Sequence, residues 1–134
     1  MKKKTYTILA IIIGAILIDQ ITKGSLLYLL TSRVPLYANA WELVPFPYII
    51  SQVTSFFNLV FTWNPGTSFS LFRALGESAP LVIIILTGIV IGIIGYYVFK
   101  RAASHERWPL ALIVGGALGN LIDRVRFGAV IDFL

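Results

Sequence analysis

The chain of 134 residues contains no cysteine. Disulfides, thiolate metal sites and cysteine nucleophiles are therefore excluded, as is the lipid-carrying cysteine that would make the protein a lipoprotein itself. Its one histidine, His105, stands alone in a short basic loop, so a Ser-His-Asp set cannot be assembled, and ligands for a zinc site are lacking. Charge is scarce as well: 13% of residues are charged and only six are acidic. What is present instead is apolar, with 57% of residues hydrophobic. That composition points to a polytopic membrane protein. Residues 1–134 are expected to form one integral membrane domain, since the length leaves no room for a second beside several spans.

The formal net charge is +5, but its placement argues against nucleic acid as a partner. Lys2, Lys3 and Lys4 precede the first apolar run, and Lys100, Arg101 and Arg107 lie in a short loop between two later ones. This is the positive-inside bias of membrane topology, with no basic face interleaved with aromatics to follow a phosphate backbone. The first run lacks a small-x-small cleavage site and continues through Asp19 and Lys23 to Leu30, so it reads as a retained span rather than a secretory signal.

Three spans are expected, at about 6–30, 80–99 and 108–122, since a helix needs about 20 residues to cross the hydrocarbon core. Pro80 suits a first helical turn. The basic ends place the N-terminus and the Lys100–Arg107 loop in the cytoplasm and residues 31–79 outside. Within that outer segment, Tyr48–Trp63 is rich in β-branched and aromatic residues, and Asn64-Pro65-Gly66 is a turn signal before Phe69–Phe72. A small curved sheet on the outer membrane surface is expected. Trp41, Phe46, Tyr48, Phe56, Phe57 and Trp63 would then sit in the headgroup zone as an aromatic belt. Small residues at four-residue spacing (Ala10 and Gly14, Gly88 and Gly92, Gly115 and Gly119) read as helix packing.

The polar residues inside the apolar runs carry the functional signal, because an ionisable group at the bilayer centre costs about 2.5–3.5 kcal/mol on insertion scales. Asp19 lies 15 residues beyond Lys4, and Asp123 lies 15 beyond Trp108. At about 1.5 Å per residue both stand about 22 Å from the cytoplasmic edge, so two spans bring an acid to one level. Asp19 and Lys23 have the spacing of a same-face ion pair, which supports a neighbouring polar cluster. Asn120, Asp123 and Arg124 share a helical face. Their donors and acceptors can hold a carboxylate, a peptide carbonyl or a phosphate headgroup, or Asp123 and Arg124 can clamp each other. Gly128 lets the chain turn, and Asp132 follows as a lone acid in an apolar setting. Two close aspartates sharing one proton hydrolyse peptides, the ionised one activating water and the protonated one polarising the carbonyl. Spacing alone nominates Asp123 and Asp132 for that pair.

The block GGALGNLIDRVRFGAVIDF at residues 115–133 resembles the most distinctive segment of the bacterial lipoprotein signal peptidases (signal peptidase II), which are intramembrane aspartic proteases. Asp19-Gln20-Ile21-Thr22-Lys23 is similar to that family's first-span motif. Asn64-Pro65-Gly66-Thr67-Ser68-Phe69 is similar to its outer-loop motif, with Thr67 and Ser68 in place of the usual alanines. The segment between the first span and the sheet is somewhat long for the family.

The resemblance implies an α-helical membrane fold of four spans with a small outer β-cradle, of which this chain carries three. It implies a multi-pass protein of the bacterial cytoplasmic membrane that removes signal peptides from diacylglyceryl-modified prolipoproteins. Cleavage falls just before the lipidated cysteine, towards the outer leaflet. Signal peptides, membrane lipid and inhibitors of the globomycin type are the implied partners, and no cofactor or metal is implied. By the same resemblance Asp132 is the first catalytic aspartate, and its partner belongs to an F-N-x-A-D motif expected beyond Leu134. Asn64, Gly66, Asn120 and Arg124 contact substrate, while Asp19, Lys23 and Asp123 support them. Residues 1–134 alone are expected to be inactive, because one carboxylate cannot fill both roles. The alternatives are a non-catalytic protein that binds signal peptides or lipid, and a small structural membrane subunit.

Overall fold

The computed structural model describes residues 2–31, 49–64, 66 and 78–133, with side chains at 4–28, 54–56, 63–64, 66 and 78–132. The expectations for Trp41, Phe46, Tyr48, Thr67, Ser68, Phe69 and Phe72 lie outside the described residues. In chain order the elements are α1 (Lys2–Thr31), β1 (Ile49–Thr54), β2 (Phe57–Asn64), α2 (Ala79–Lys100), α3 (Arg107–Phe127) and β3 (Val130–Phe133).

The helices overlie the three apolar runs, and their ends follow local chemistry. Pro80 falls in the first turn of α2, where its missing N–H would have had no helical partner. At the other end, the Arg101 and Ala102 amides both return to the Tyr97 carbonyl at 2.8 Å. Glu106 braces the following loop, its Oε2 accepting from the Ala103 amide at 2.8 Å and the Tyr97 hydroxyl at 3.2 Å. Helix α3 runs five residues beyond Ile122 and stops at Gly128, whose φ of 75° is the left-handed cap that glycine adopts without strain. Its N–H closes the helix on the Arg124 carbonyl at 2.9 Å. The expected turn at Gly128 is therefore present. It also puts Asp123 and Arg124 within the helix rather than at its end.

Helix α3 packs against both α1 and α2. Ala111 and Val114 of α3 are buried among Ile8 and Ile12 of α1 and Val98 of α2. Of the small-residue pairs, only Gly115 and Gly119 lie in tight contact: a Cβ at Gly115 would meet Ala15 at 2.5 Å and the Ile12 carbonyl at 2.9 Å, and one at Gly119 would strike the Asp19 carboxylate. Gly14, Gly88 and Gly92 face open space. The outward faces are apolar: Leu9, Ile13, Leu17 and Ile21 on α1, Ile85, Ile89 and Ile93 on α2, Leu112 and Ile113 on α3 are all exposed. Helices α1 and α2 are long and apolar enough to cross a bilayer. Such a surface is stable in lipid, where helices satisfy their own backbone polar groups.

The three strands form one antiparallel sheet in the order β1-β2-β3. The β1–β2 turn is Ser55-Phe56, which carries none of the usual glycine or proline signals. In the second pairing Thr62 lies opposite Asp132, Trp63 opposite Ile131 and Asn64 opposite Val130. Side chains alternate across a strand, so Trp63 and Ile131 share the face turned to the helices. Trp63 is 3% exposed and its ring centre is 5.5 Å from that of Phe127. The aromatic-belt expectation is thus corrected for Trp63, which register turns into the core. Phe56, at the hairpin tip, is 89% exposed as a belt residue would be.

Candidate functional site

Gly115 and Gly119 let α1 and α3 approach until the polar residues of each face the other. Lys23 is the centre of what results. Its Nζ donates to Asp19 Oδ2 at 2.9 Å, Asp123 Oδ2 at 2.8 Å and Asn120 Oδ1 at 2.8 Å. Gln20 adds a second set: its Nε2 donates to Asp123 Oδ1 at 2.8 Å, and to the Gly119 carbonyl and Asp19 Oδ2 at 3.2 Å each. Asp123 is completely buried, and a buried carboxylate is tolerable only when paired and hydrogen-bonded. Its third partner is the Ile131 amide at 3.4 Å. That contact ties β3 to α3 one residue before Asp132.

The expected Asp19–Lys23 pair is present, and so is the shared level of Asp19 and Asp123. An Asp123–Arg124 clamp is not: Asp123 turns to α1, where Lys23 and Gln20 satisfy both of its oxygens. Gln20 was not singled out by the sequence reading. Its place three residues before Lys23, on the same helical face, was the available signal.

Asp132 is not a lone acid either. Asn64 Nδ2 donates to Asp132 Oδ2 at 3.3 Å, a contact between diagonal neighbours on one face of the β2–β3 pair. The Asn64 side-chain oxygen accepts from the Gly66 amide at 2.9 Å. This local turn, with Gly66 at φ 81°, fixes the amide so that its nitrogen points to the carboxylate. Gly66 acts through Asn64 and lies outside the cavity wall.

Asp19, Lys23, Asn64, Asn120, Arg124 and Asp132 line one open cavity of about 660 Å³, with Ala15, Ile18, Leu26 and Leu112 among its apolar walls. Asp123 lies behind it. The Arg124 side chain makes no hydrogen bond among the described residues, and its Nε is a buried donor without a partner. Asp19 is the other acid on the wall, but it is held by Lys23 and Gln20. Among the described residues no three His, Cys, Asp or Glu side chains are grouped to hold a metal ion.

A carboxylate steadied by an amide, and an arginine whose buried Nε has no partner, line one cavity between apolar helices and define a membrane protein with a polar-ligand site. The family model for signal peptidase (SPase) II matches residues 11–134, and the chain belongs to the signal peptidase II family. It is 40% identical to the lipoprotein signal peptidase of Sphingopyxis alaskensis over 119 residues, 89% of this chain and 61% of that protein. Against the lipoprotein signal peptidase of Anaplasma phagocytophilum it is 40% identical over 117 residues, 87% of this chain and 65% of that one. Against that of Rickettsia bellii it is 35% identical over 136 residues, 98% of this chain and 63% of that one. The chain thus spans about three fifths of the length of these curated relatives. No solved structure matches it.

Proposed function

We propose that the chain forms most of the active site of an intramembrane aspartic endopeptidase that cleaves diacylglyceryl-modified prolipoproteins before the lipidated cysteine. The observation that carries this reading is the convergence of Asn64, Asn120, Arg124 and Asp132 on one cavity, with a buried Arg124 donor left for a ligand. The name of these relatives, lipoprotein signal peptidase, supports the substrate class.

In this reading α3 is a third span. The N-terminus and the α2–α3 loop lie in the cytoplasm, and the cavity opens towards the outer leaflet of the bacterial cytoplasmic membrane. Asp132 is one member of the catalytic pair. The ionised carboxylate takes a proton from water as the water oxygen bonds to the scissile carbonyl carbon. The protonated carboxyl donates to the carbonyl oxygen, and the C–N bond then breaks as the amine nitrogen gains a proton. Arg124 and Asn120 orient the peptide carbonyls or the ester oxygens of the lipid. Asn64 orients Asp132, and Asp19, Lys23 and Asp123 hold the two helices in place. A cyclic peptide of the globomycin type would occupy the same cavity.

The test uses a lipidated prolipoprotein peptide and the purified chain. The protein is expected to bind globomycin and the peptide in the same cavity. Cleavage that survives Asp132→Asn would overturn the catalytic role of Asp132. Globomycin binding that is indifferent to Arg124→Ala would overturn the ligand role of the cavity.

A further inference from the structure

A second cavity, of about 270 Å³, lies at the opposite end of the α1–α3 pair and is lined by Lys4, Thr7, Ile8, Ser104, Arg107 and Trp108. Lys4 and Trp108 are separated from Asp19 and Asp123 by 15 residues each, about 22 Å of helix. The catalytic reading makes no use of it. Two cations from different elements meet there, and no acid is on its wall. The loop's acid, Glu106, is engaged with the Ala103 amide and the Tyr97 hydroxyl. Arg107 is held in place by its own Nε, which donates to the Ala102 carbonyl at 2.8 Å. A guanidinium fixed in that way is pre-oriented for the planar, forked recognition of a phosphate.

We propose that this cavity binds the phosphodiester headgroup of an anionic phospholipid in the leaflet opposite the aspartate cavity. Charge complementarity selects the headgroup: Arg107 and Lys4 neutralise one phosphate, and the Ser104 hydroxyl supplies a neutral donor. Position selects a lipid over a free anion. Trp108 is exposed beside the cations, as amphipathic rings are at a membrane interface. Apolar surface also continues from the cavity along α3: Leu112, one turn beyond Trp108 on the same helical face, is exposed and can lie against an acyl chain. A zwitterionic headgroup fits less well, because its own ammonium would share the cavity with Lys4 and Arg107. Basic pockets between helices at the cytoplasmic surface hold lipid headgroups in this way. The inference rests on the proposed topology but not on catalysis.

Native mass spectrometry of the full chain, released from phosphatidylcholine discs containing a minority of phosphatidylglycerol, tests it. Phosphatidylglycerol is expected to be enriched among the retained lipids. Removing one cation lowers enrichment about fivefold, the effect of one basic residue near a charged surface. Lys4→Gln should show that loss, and Lys4→Gln with Arg107→Gln should bring retention to parity. Lys100→Gln with Arg101→Gln removes the same charge from exposed positions outside the cavity and should lower enrichment less than Lys4→Gln alone.

Equal losses from the two pairs would overturn the cavity in favour of diffuse surface attraction. Absence of enrichment in the unaltered chain would overturn it outright, and displacement of the lipid by inorganic phosphate would overturn the lipid assignment. Lys4 is an exposed side chain, so Lys4→Gln decides the matter even if the double variant does not fold. Globomycin binding by the same samples reports separately on the aspartate cavity, so the two readings fail independently.

Discussion

Lys23 Nζ lies 2.8 Å from Asp123 Oδ2, an ion pair that joins α1 to α3 across one hundred positions of sequence. Lys23 is 12% exposed and Asp123 is completely buried, so the pair is shielded from solvent. Asp19 shares the same ammonium. Asp19, Lys23 and Asp123 thus act as one unit where the helices meet. The Ile131 amide extends the unit to β3, so it fixes the direction in which the chain leaves α3 towards Asp132.

Lys23→Met should therefore be strongly destabilising. It leaves the Asp123 carboxylate buried without its counter-ion, a change that costs about 3–5 kcal/mol when one partner of a buried pair is removed. Asp19→Asn should cost less, because Asp19 is partly exposed and an amide still accepts from Lys23. Thermal unfolding in detergent, followed by circular dichroism, gives the order Lys23→Met well below Asp19→Asn. Equal stability of the two would contradict the central place of Lys23.

The approach of α1 to α3 depends on two hydrogen atoms where side chains would otherwise stand. Gly115→Ala meets the Ala15 side chain and the Ile12 carbonyl, neither of which can swing aside. Overpacking of this kind costs about 1–3 kcal/mol. Gly119→Ala presses on the Asp19 carboxylate, which Lys23 and Gln20 already hold, so it should weaken globomycin binding as well as stability. Gly88→Ala and Gly92→Ala meet nothing and should be neutral or slightly stabilising, since alanine is the better helix former by about 1 kcal/mol. A loss of stability at Gly88 equal to that at Gly115 would refute the distinction.

Asn64 has two separable tasks, and two substitutions divide them. Asn64→Asp keeps an oxygen to accept from the Gly66 amide but replaces the donor to Asp132 with a second carboxylate. Asn64→Ala loses both contacts. The aspartate variant should retain the loop and so most of its stability. Its globomycin affinity should still fall by about tenfold or more, since a hydrogen bond to a charged group contributes about 1.5–3 kcal/mol. Calorimetric titration beside a melting curve would show the split. Full affinity in Asn64→Asp would mean that the Asn64–Asp132 contact does not prepare the site.

Much of this arrangement was legible in the sequence, and the exceptions share a cause. The helices, the Asp19–Lys23 pair and the Gly128 turn follow from local spacing and from residues with one strong preference. Asn120, Arg124 and Asp132 stood out because polar groups are costly in apolar surroundings. The contacts of Asp123 did not, because they depend on how α1 meets α3, and same-helix spacing favoured Arg124 instead. Strand β3 has four residues and pairs with a strand far away in sequence, so no periodicity announced it. The inward turn of Trp63 is a matter of register, which composition does not carry: a one-residue slip would place it on the other face.

Arg124 gives the sharpest separation of stability from function. Its Nε is a buried donor with no partner, and an unsatisfied buried polar atom costs about 1–3 kcal/mol, more where the group is charged. Arg124→Met keeps much of the side chain's length and removes the unsatisfied donor. This variant should therefore be at least as stable as the parent, by thermal unfolding without ligand. Globomycin, bound as proposed, should raise the unfolding temperature of the parent, since a ligand that binds only the folded state stabilises it by mass action. In Arg124→Met that rise should largely disappear, because the donors left free in the parent are those a bound carbonyl or ester would take. Arg124→Lys should recover only part of it: a single ammonium carries the charge but lacks the fork. A variant that lost stability while keeping the ligand-dependent rise would make Arg124 a structural residue and return the site to Asn120 and Asp132 alone.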